Sequence, residues 1–230
     1  MQPVSYTPCV GSRGVRAVVF DMDGTLLDSL PVVLECYRRA VLEFGGPDLS
    51  PEDILASFAV GPAASMLEVL IGRPVGPDAV ACYETHLAHE SAGVTAYPGI
   101  GETLALLSRD VPLGVFTAAD TAAAELLLEA SGLREPLGPV LGADGVARPK
   151  PAPDGLLAVC EILGVPPSEV AYVGDGPADT EVARACGALA VAAGWGHQYR
   201  DGRDADVTLC SPEELVGLVE TELRMEGDAG

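Results

Sequence analysis

Short apolar runs alternate with helix-spaced patterns along most of this 230-residue chain. Val15 to Phe20, Leu113 to Phe116, Val170 to Val173 and Leu189 to Ala192 are almost wholly apolar, and each leads into a loop containing Gly or Asp. Runs this short, without strict alternation, read as strands buried on both faces. A weaker strand is expected at Pro139 to Leu141. Between the runs, apolar residues recur at helical spacing over Ile100 to Ser108, Ala122 to Ala130, Pro153 to Leu163 and Ala178 to Cys186. A last helix is expected from Pro212 to Arg224, behind Ser211 as its N-cap. Strands alternating with helices predict an α/β fold, a Rossmann-like parallel sheet with helices on both faces.

One stretch breaks the alternation. Residues 31–98 carry helical patterns only, punctuated by Gly45-Gly46-Pro47, Gly61-Pro62 and Gly72-Arg73-Pro74. Four helices are expected near 31–44, 51–58, 63–71 and 78–91, too many for one crossover between parallel strands. They read as a small helical domain inserted after the first strand, with residues 15–30 and 99–222 forming the α/β core. Residues 1–14 and 225–230 are expected to be flexible termini, frayed at Gly227 to Gly230.

Composition narrows the function classes. The formal net charge is −21 and the pI about 4.2, so the chain should repel nucleic acid and anionic membranes. No apolar stretch approaches the length of a membrane span, and Met1 to Gly14 lacks the apolar run of a signal peptide. The six cysteines form no Cys-x-x-Cys pair and read as reduced thiols of a cytoplasmic protein. Asparagine is absent, and Lys150 is the only lysine against twelve arginines. A lone lysine in such a chain suggests a position that arginine cannot fill.

In open α/β sheets, ligands bind beyond the carboxyl ends of the strands. Asp21 and Asp23 follow the first strand, and Thr117 follows the second. Arg148-Pro149-Lys150-Pro151 precedes the helix at 153, and Gly174-Asp175, then Asp179, follow the next strand. Carboxylates, a hydroxyl and a lysine thus converge on one sheet edge. Close carboxylates repel one another and need a cation; all-oxygen ligation suits Mg²⁺. A carboxylate can attack phosphorus, and lysine can neutralise both the nucleophile and phosphate oxygens.

Asp21-Met22-Asp23-Gly24-Thr25-Leu26-Leu27-Asp28-Ser29 resembles the first motif of the haloacid dehalogenase superfamily. Thr117, Arg148-Pro149-Lys150-Pro151-Ala152-Pro153 and Val173-Gly174-Asp175-Gly176-Pro177-Ala178-Asp179-Thr180 resemble the other three, in the family's order. The likeness runs from about Val15 to Leu218 and is strongest to the phosphoglycolate phosphatase-like branch, whose helical cap is inserted where residues 31–98 lie. The resemblance implies a Mg²⁺-dependent phosphatase acting on a small phosphorylated metabolite. Asp21 would form an aspartyl-phosphate, and Asp23 would protonate the leaving alcohol and later activate water. Thr117 would hold a phosphoryl oxygen, and Lys150 would bridge Asp21 and the phosphate. The metal would take the Asp21 carboxylate, the Asp23 backbone carbonyl and the Asp175 carboxylate, with Asp179 in support. Ala118, beside Thr117 and in reach of substrate, stands where the family often has Asn. That departure touches fine substrate contacts rather than phosphoryl transfer.

Other polar residues carry plainer readings. Asp120 is expected to N-cap the helix that follows it, and Asp28 and Ser29 to start the first inserted helix, with Pro31 in its first turn. His86 and His89 share a helix face, but a metal pair there lacks a third ligand. Trp195-Gly196-His197 could border the site or form a packed surface loop. The insert holds three basic residues, Arg38, Arg39 and Arg73, against nine acidic ones, and its Gly61-Pro62-Ala63-Ala64-Ser65 turn carries no charge. The phosphosugar mutase of the superfamily needs a basic residue near that turn to hold a second phosphate, so hydrolysis is favoured. Phosphoglycolate, whose carboxylate wants a cation, fits no better than a neutral or amino-bearing phosphomonoester. A non-catalytic module that binds a phosphorylated ligand is the alternative of a different class.

Overall fold

The computed structural model describes residues 14–200 and 205–227. Six parallel strands form the main sheet: β1 (Ala17–Phe20), β4 (Leu113–Phe116), β5 (Val140–Leu141), β6 (Val170–Gly174), β7 (Leu189–Ala193) and β8 (Val207–Leu209). Their spatial order is β5-β4-β1-β6-β7-β8. β1 lies centrally, with Val18 opposite Leu113 on one side and Ala171 on the other. Its residues are all buried, because successive side chains feed two different cores. Val18 and Phe20 point to one face, which holds Leu104, Leu127 and Leu215. Ala17 and Val19 point to the other, with Leu156, Val159 and Val182. A strand of period two that is covered on both faces needs no polar positions, which is why these runs are uniformly apolar.

Helices α5 (Ile100–Leu107), α6 (Thr121–Ala130) and α9 (Glu214–Gly227) supply the first face. Helices α7 (Asp154–Leu163) and α8 (Pro177–Cys186) supply the second. The expected α9 started at Pro212; the helix begins two residues later, with the Glu214 carboxylate accepting a hydrogen bond from the Cys210 amide at 2.7 Å.

Between β1 and α5 lie the inserted helices α1 (Leu30–Glu43), α2 (Pro51–Leu55), α3 (Ala63–Ile71) and α4 (Pro77–Glu90). The second was expected to reach residue 58. It stops at Leu55, and a 3₁₀ turn occupies Phe58–Val60. The core of the insert is largely aliphatic, with Tyr37 of α1 stacked on Tyr83 of α4 at a ring-centroid distance of 4.1 Å.

Two features had no counterpart in the sequence reading. β2 (Leu27–Asp28) pairs antiparallel with β3 (Thr95–Ala96), tying together the two chain crossings between core and insert. β8 is the second, three residues that pair with β7 and form one edge of the sheet. Both are too short to show a period, and pairing alone defines them. The leading segment up to residue 13 and the tail from 228 lie outside the described residues, as does Cys9; the other five cysteines are free thiols. No helix among the described residues is long and apolar enough to cross a membrane.

Candidate active site

The carboxyl ends of β1, β4 and β6 deliver the chemistry. Asp21 leaves β1 with its amide bonded to Val173 O at 2.8 Å, so its side chain is fixed by the sheet register. Thr117 follows β4, fully buried, and its hydroxyl accepts from the Ala119 amide at 3.2 Å. Asp175 follows β6, and Asp179 sits in the first turn of α8, where its Oδ2 accepts from the Gly176 amide at 2.8 Å. Gly174 makes this approach possible, since a Cβ there would lie 2.3 Å from the Asp179 carboxyl carbon. Gly24 does the same on the opposite side. It turns the chain at φ +85°, and a Cβ would meet Asp175 Oδ2 at 2.4 Å.

Lys150 closes the cluster. Its Nζ donates to Asp21 Oδ1 at 2.7 Å and to Asp179 Oδ1 at 2.8 Å. The ammonium also stands 5.2 Å from the Phe116 ring centre and 5.3 Å from that of Tyr172, within cation–π range. Only 6% of the lysine side chain is exposed. Burial alone would drive its proton off, but the two aspartates outweigh that, and its pKa is raised well above the ordinary lysine value. The reverse holds at Asp21. Burial pushes its pKa up to about 8, against the pull of Lys150 and with the repulsion of Asp179 and Asp175.

Asp21, Asp175 and Asp179 bring one oxygen each to within 4.8 Å of one another. Fully ionised, they carry three negative charges against one lysine. An all-oxygen donor set with excess negative charge can hold a divalent cation, and these residues fit one.

Asp23 stands apart from this cluster. Its Oδ1 accepts from the Ser29 hydroxyl, and burial raises its pKa against the pull of that hydrogen bond. It faces a cleft with about 40 Å³ of free space between core and insert, which Ala118 also lines.

The structure thus brings Asp21, Lys150, Asp175 and Asp179 together, with Asp23 and Thr117 on the same strand ends. One contributor, Tyr172, was not singled out from the sequence. Tyr172 sits inside an apolar run, yet its hydroxyl donates to Phe116 O at 2.8 Å and reaches Asp179 Oδ1 at 3.3 Å. Its polar group in an otherwise apolar strand was the available signal. Ser29 does occupy the N-cap position of α1, but its side chain makes no capping bond and turns to Asp23 instead. Asp120 likewise sits at the N-cap of α6 without capping it; its Oδ1 accepts from Ala63 N at 3.3 Å, linking core to insert.

The 195–197 loop borders the site. Trp195 Nε1 donates to Thr25 O at 2.9 Å, Tyr97 and His197 lie 3.4 Å apart, and Gln198 N donates to Asp175 Oδ2 at 2.7 Å. His86 pairs with Glu43 at 2.8 Å, beside Cys82, rather than with His89. That group lies on the insert, away from the strand ends.

A model of the haloacid dehalogenase-like hydrolase family matches residues 15–187. A phosphoglycolate phosphatase of Chromobacterium violaceum is 34% identical over 219 residues, covering 90% of this chain and 97% of the relative. One from Rhodospirillum rubrum is 36% identical over 197 residues, covering 79% and 80%. Among solved structures, a haloacid dehalogenase-superfamily hydrolase of subfamily IA from Geobacter sulfurreducens is 27% identical with a TM-score of 0.71, covering 89% of this chain and all of that one. The matched span takes in the strand ends and every residue of the carboxylate–lysine cluster, and this chain belongs to the haloacid dehalogenase-like hydrolase family.

Proposed function

We propose that the protein is a Mg²⁺-dependent phosphatase that hydrolyses a small phosphomonoester through an aspartyl-phosphate on Asp21. The observation that carries this reading is the lysine bridge: a buried carboxylate held at 2.7 Å by the chain's single lysine, with Asp23 lining a cleft. A carboxylate so held is aimed rather than free to rotate, and the ammonium beside it stabilises charge gathering on the phosphoryl oxygens.

Asp21 attacks phosphorus while the bond to the leaving oxygen breaks. Asp23, whose pKa burial shifts upward, gives that oxygen its proton. The carboxylate so formed then takes a proton from water, which attacks the phosphoryl group and releases phosphate, returning Asp21. Lys150 and the Thr117 hydroxyl hold phosphoryl oxygens, with Ala118 contributing backbone and contact surface. Asp21, Asp175 and the Asp23 carbonyl would hold the Mg²⁺, which supplies charge stabilisation for the transferring group. Asp179 fixes Lys150 and adds to the field at the metal. The domain division expected from sequence, 31–98 as cap over a 15–30 and 99–222 core, belongs to the same proposal.

The direct test is rapid quench with p-nitrophenyl phosphate and Mg²⁺, followed by peptide mapping. Phosphate on Asp21 is expected during turnover; a steady state with no phosphorylated aspartate at all would contradict the covalent route.

Two variants probe the roles. Asp23→Asn keeps the shape but removes the acid, so phosphorylation by an alkyl phosphate should fall by at least about tenfold more than phosphorylation by an aryl phosphate, whose leaving group needs no proton. Equal losses in single-turnover rates would remove Asp23 from the acid role. Lys150→Arg should lower kcat/KM by at least about tenfold, roughly 1.4 kcal/mol of transition-state stabilisation. A planar fork cannot occupy the space between two carboxylates and two aromatic rings as a compact ammonium does. Near-parental kinetics in that variant would show the bridge to be dispensable.

A further inference from the structure

We propose that the leaving-group pocket selects phosphomonoesters of uncharged, largely apolar alcohols and discriminates against an alcohol part bearing its own carboxylate or second phosphate. This rests on the phosphatase reading above and concerns what that site accepts.

The cleft that begins at Asp23 and Ala118 runs under the insert between α1, α3, α4 and α6. Its walls are Val33, Tyr37, Phe58, Met66, Tyr83 and Leu127, with alanines between them. Among the described residues, the charged groups that line it are Asp23 and Asp120, both acidic. Asp120 is held there by the Ala63 amide, and burial raises its pKa from the ordinary aspartate value. It still has no cationic partner among the pocket walls.

The three arginines of the insert are committed to other partners. Arg38 binds Glu35 and Asp48, Arg39 binds Glu35 and Glu90, and Arg73 donates to Phe44 O. Lys150 is held by Asp21 and Asp179 on the phosphoryl side. An incoming carboxylate would therefore lose its hydration against tyrosine, phenylalanine and methionine and face a carboxyl group rather than a cation. Desolvation without pairing and like-charge opposition act together here. An apolar group meets neither cost and gains contact with the stacked Tyr37–Tyr83 pair.

The discriminating pair is n-propyl phosphate and phosphoglycolate, similar in length and differing in charge. Propanol is the poorer leaving group, so chemistry alone would favour phosphoglycolate. The expected result is a kcat/KM at least about tenfold higher for n-propyl phosphate. Asp120→Asn should narrow that ratio by at least about threefold, because it removes the opposing charge and keeps the shape.

A second arm uses no turnover. Binding of n-propylphosphonate and phosphonoacetate to the Mg²⁺-loaded protein, measured by calorimetry, should show the same order. A phosphoglycolate kcat/KM equal to or above that of n-propyl phosphate, or equal affinity for the two phosphonates, overturns the inference. Failure to hydrolyse either ester or p-nitrophenyl phosphate overturns the phosphatase reading instead, and the phosphonate arm then still decides what the pocket admits.

Discussion

Asp21→Asn is expected to abolish phosphomonoester turnover, with a loss of at least about a thousandfold, in a protein that folds as well as its parent. The amide keeps the shape and one hydrogen-bond acceptor for Lys150 but cannot form the acyl phosphate. The stability half of the prediction has a definite sign. In the folded, metal-free protein Asp21 holds its proton up to about pH 8, against 3.8 for an ordinary aspartate, because burial disfavours the anion more than Lys150 favours it. Between those values the folded state binds the extra proton, so raising the pH favours unfolding. Asparagine has no proton to lose. Its melting temperature in metal-free buffer should therefore equal or exceed the parent's at pH 8, and the difference should shrink toward pH 4. A variant that retains turnover would move the nucleophile elsewhere. One that unfolds at neutral pH would show that the carboxylate serves the fold rather than straining it.

Chelation is the second large effect. EDTA should remove activity completely, and added Mg²⁺ should restore it. Three carboxylates lie within 4.8 Å of one another, and Lys150 pairs with only two of them, so with Asp21 ionised the cluster holds more negative charge than it can balance alone. Ca²⁺ should restore little, because it prefers six to eight ligands at longer distances than the octahedral Mg²⁺ shell. A readout independent of turnover is thermal stability. Mg²⁺ at about a hundred times its Kd should stabilise the protein by about 2.7 kcal/mol. Asp175→Asn should lose most of that gain while leaving the metal-free melting temperature near the parent's. Full activity after exhaustive chelation, or a metal-induced shift undiminished in Asp175→Asn, would refute the assignment.

The strand ends were legible in the sequence for a physical reason. A strand covered on both faces is apolar almost throughout, so the first polar residue after it marks the edge where ligands bind. Asp21, Thr117 and Asp175 each stand at such a boundary, and Lys150 stood out because the composition otherwise excludes lysine. The four inserted helices were legible from period and punctuation, with error only where α2 gives way to a 3₁₀ turn. β2, β3 and β8 were not, because two or three residues carry no periodicity and acquire strand character only from a partner distant in sequence.

Side-chain direction was the larger gap. Ser29 and Asp120 sit at cap positions, as local rules require, yet both spend their oxygens on long-range partners, since a cap bond is worth only about 1 kcal/mol and a buried polar group without a partner costs more. Tyr172 looked like core and is core, but its hydroxyl braces Asp179 and so the lysine bridge. The sequence by itself determined that carboxylates, a hydroxyl and a lysine gather at one sheet edge, because strand boundaries and residue type are local properties. Only the tertiary structure decided that the three basic residues of the insert point away from the cleft into ion pairs and a helix end, and that an aromatic pair and two acids line it instead. Which face of a helix meets which neighbour depends on packing between elements far apart in the chain, and no local pattern encodes it.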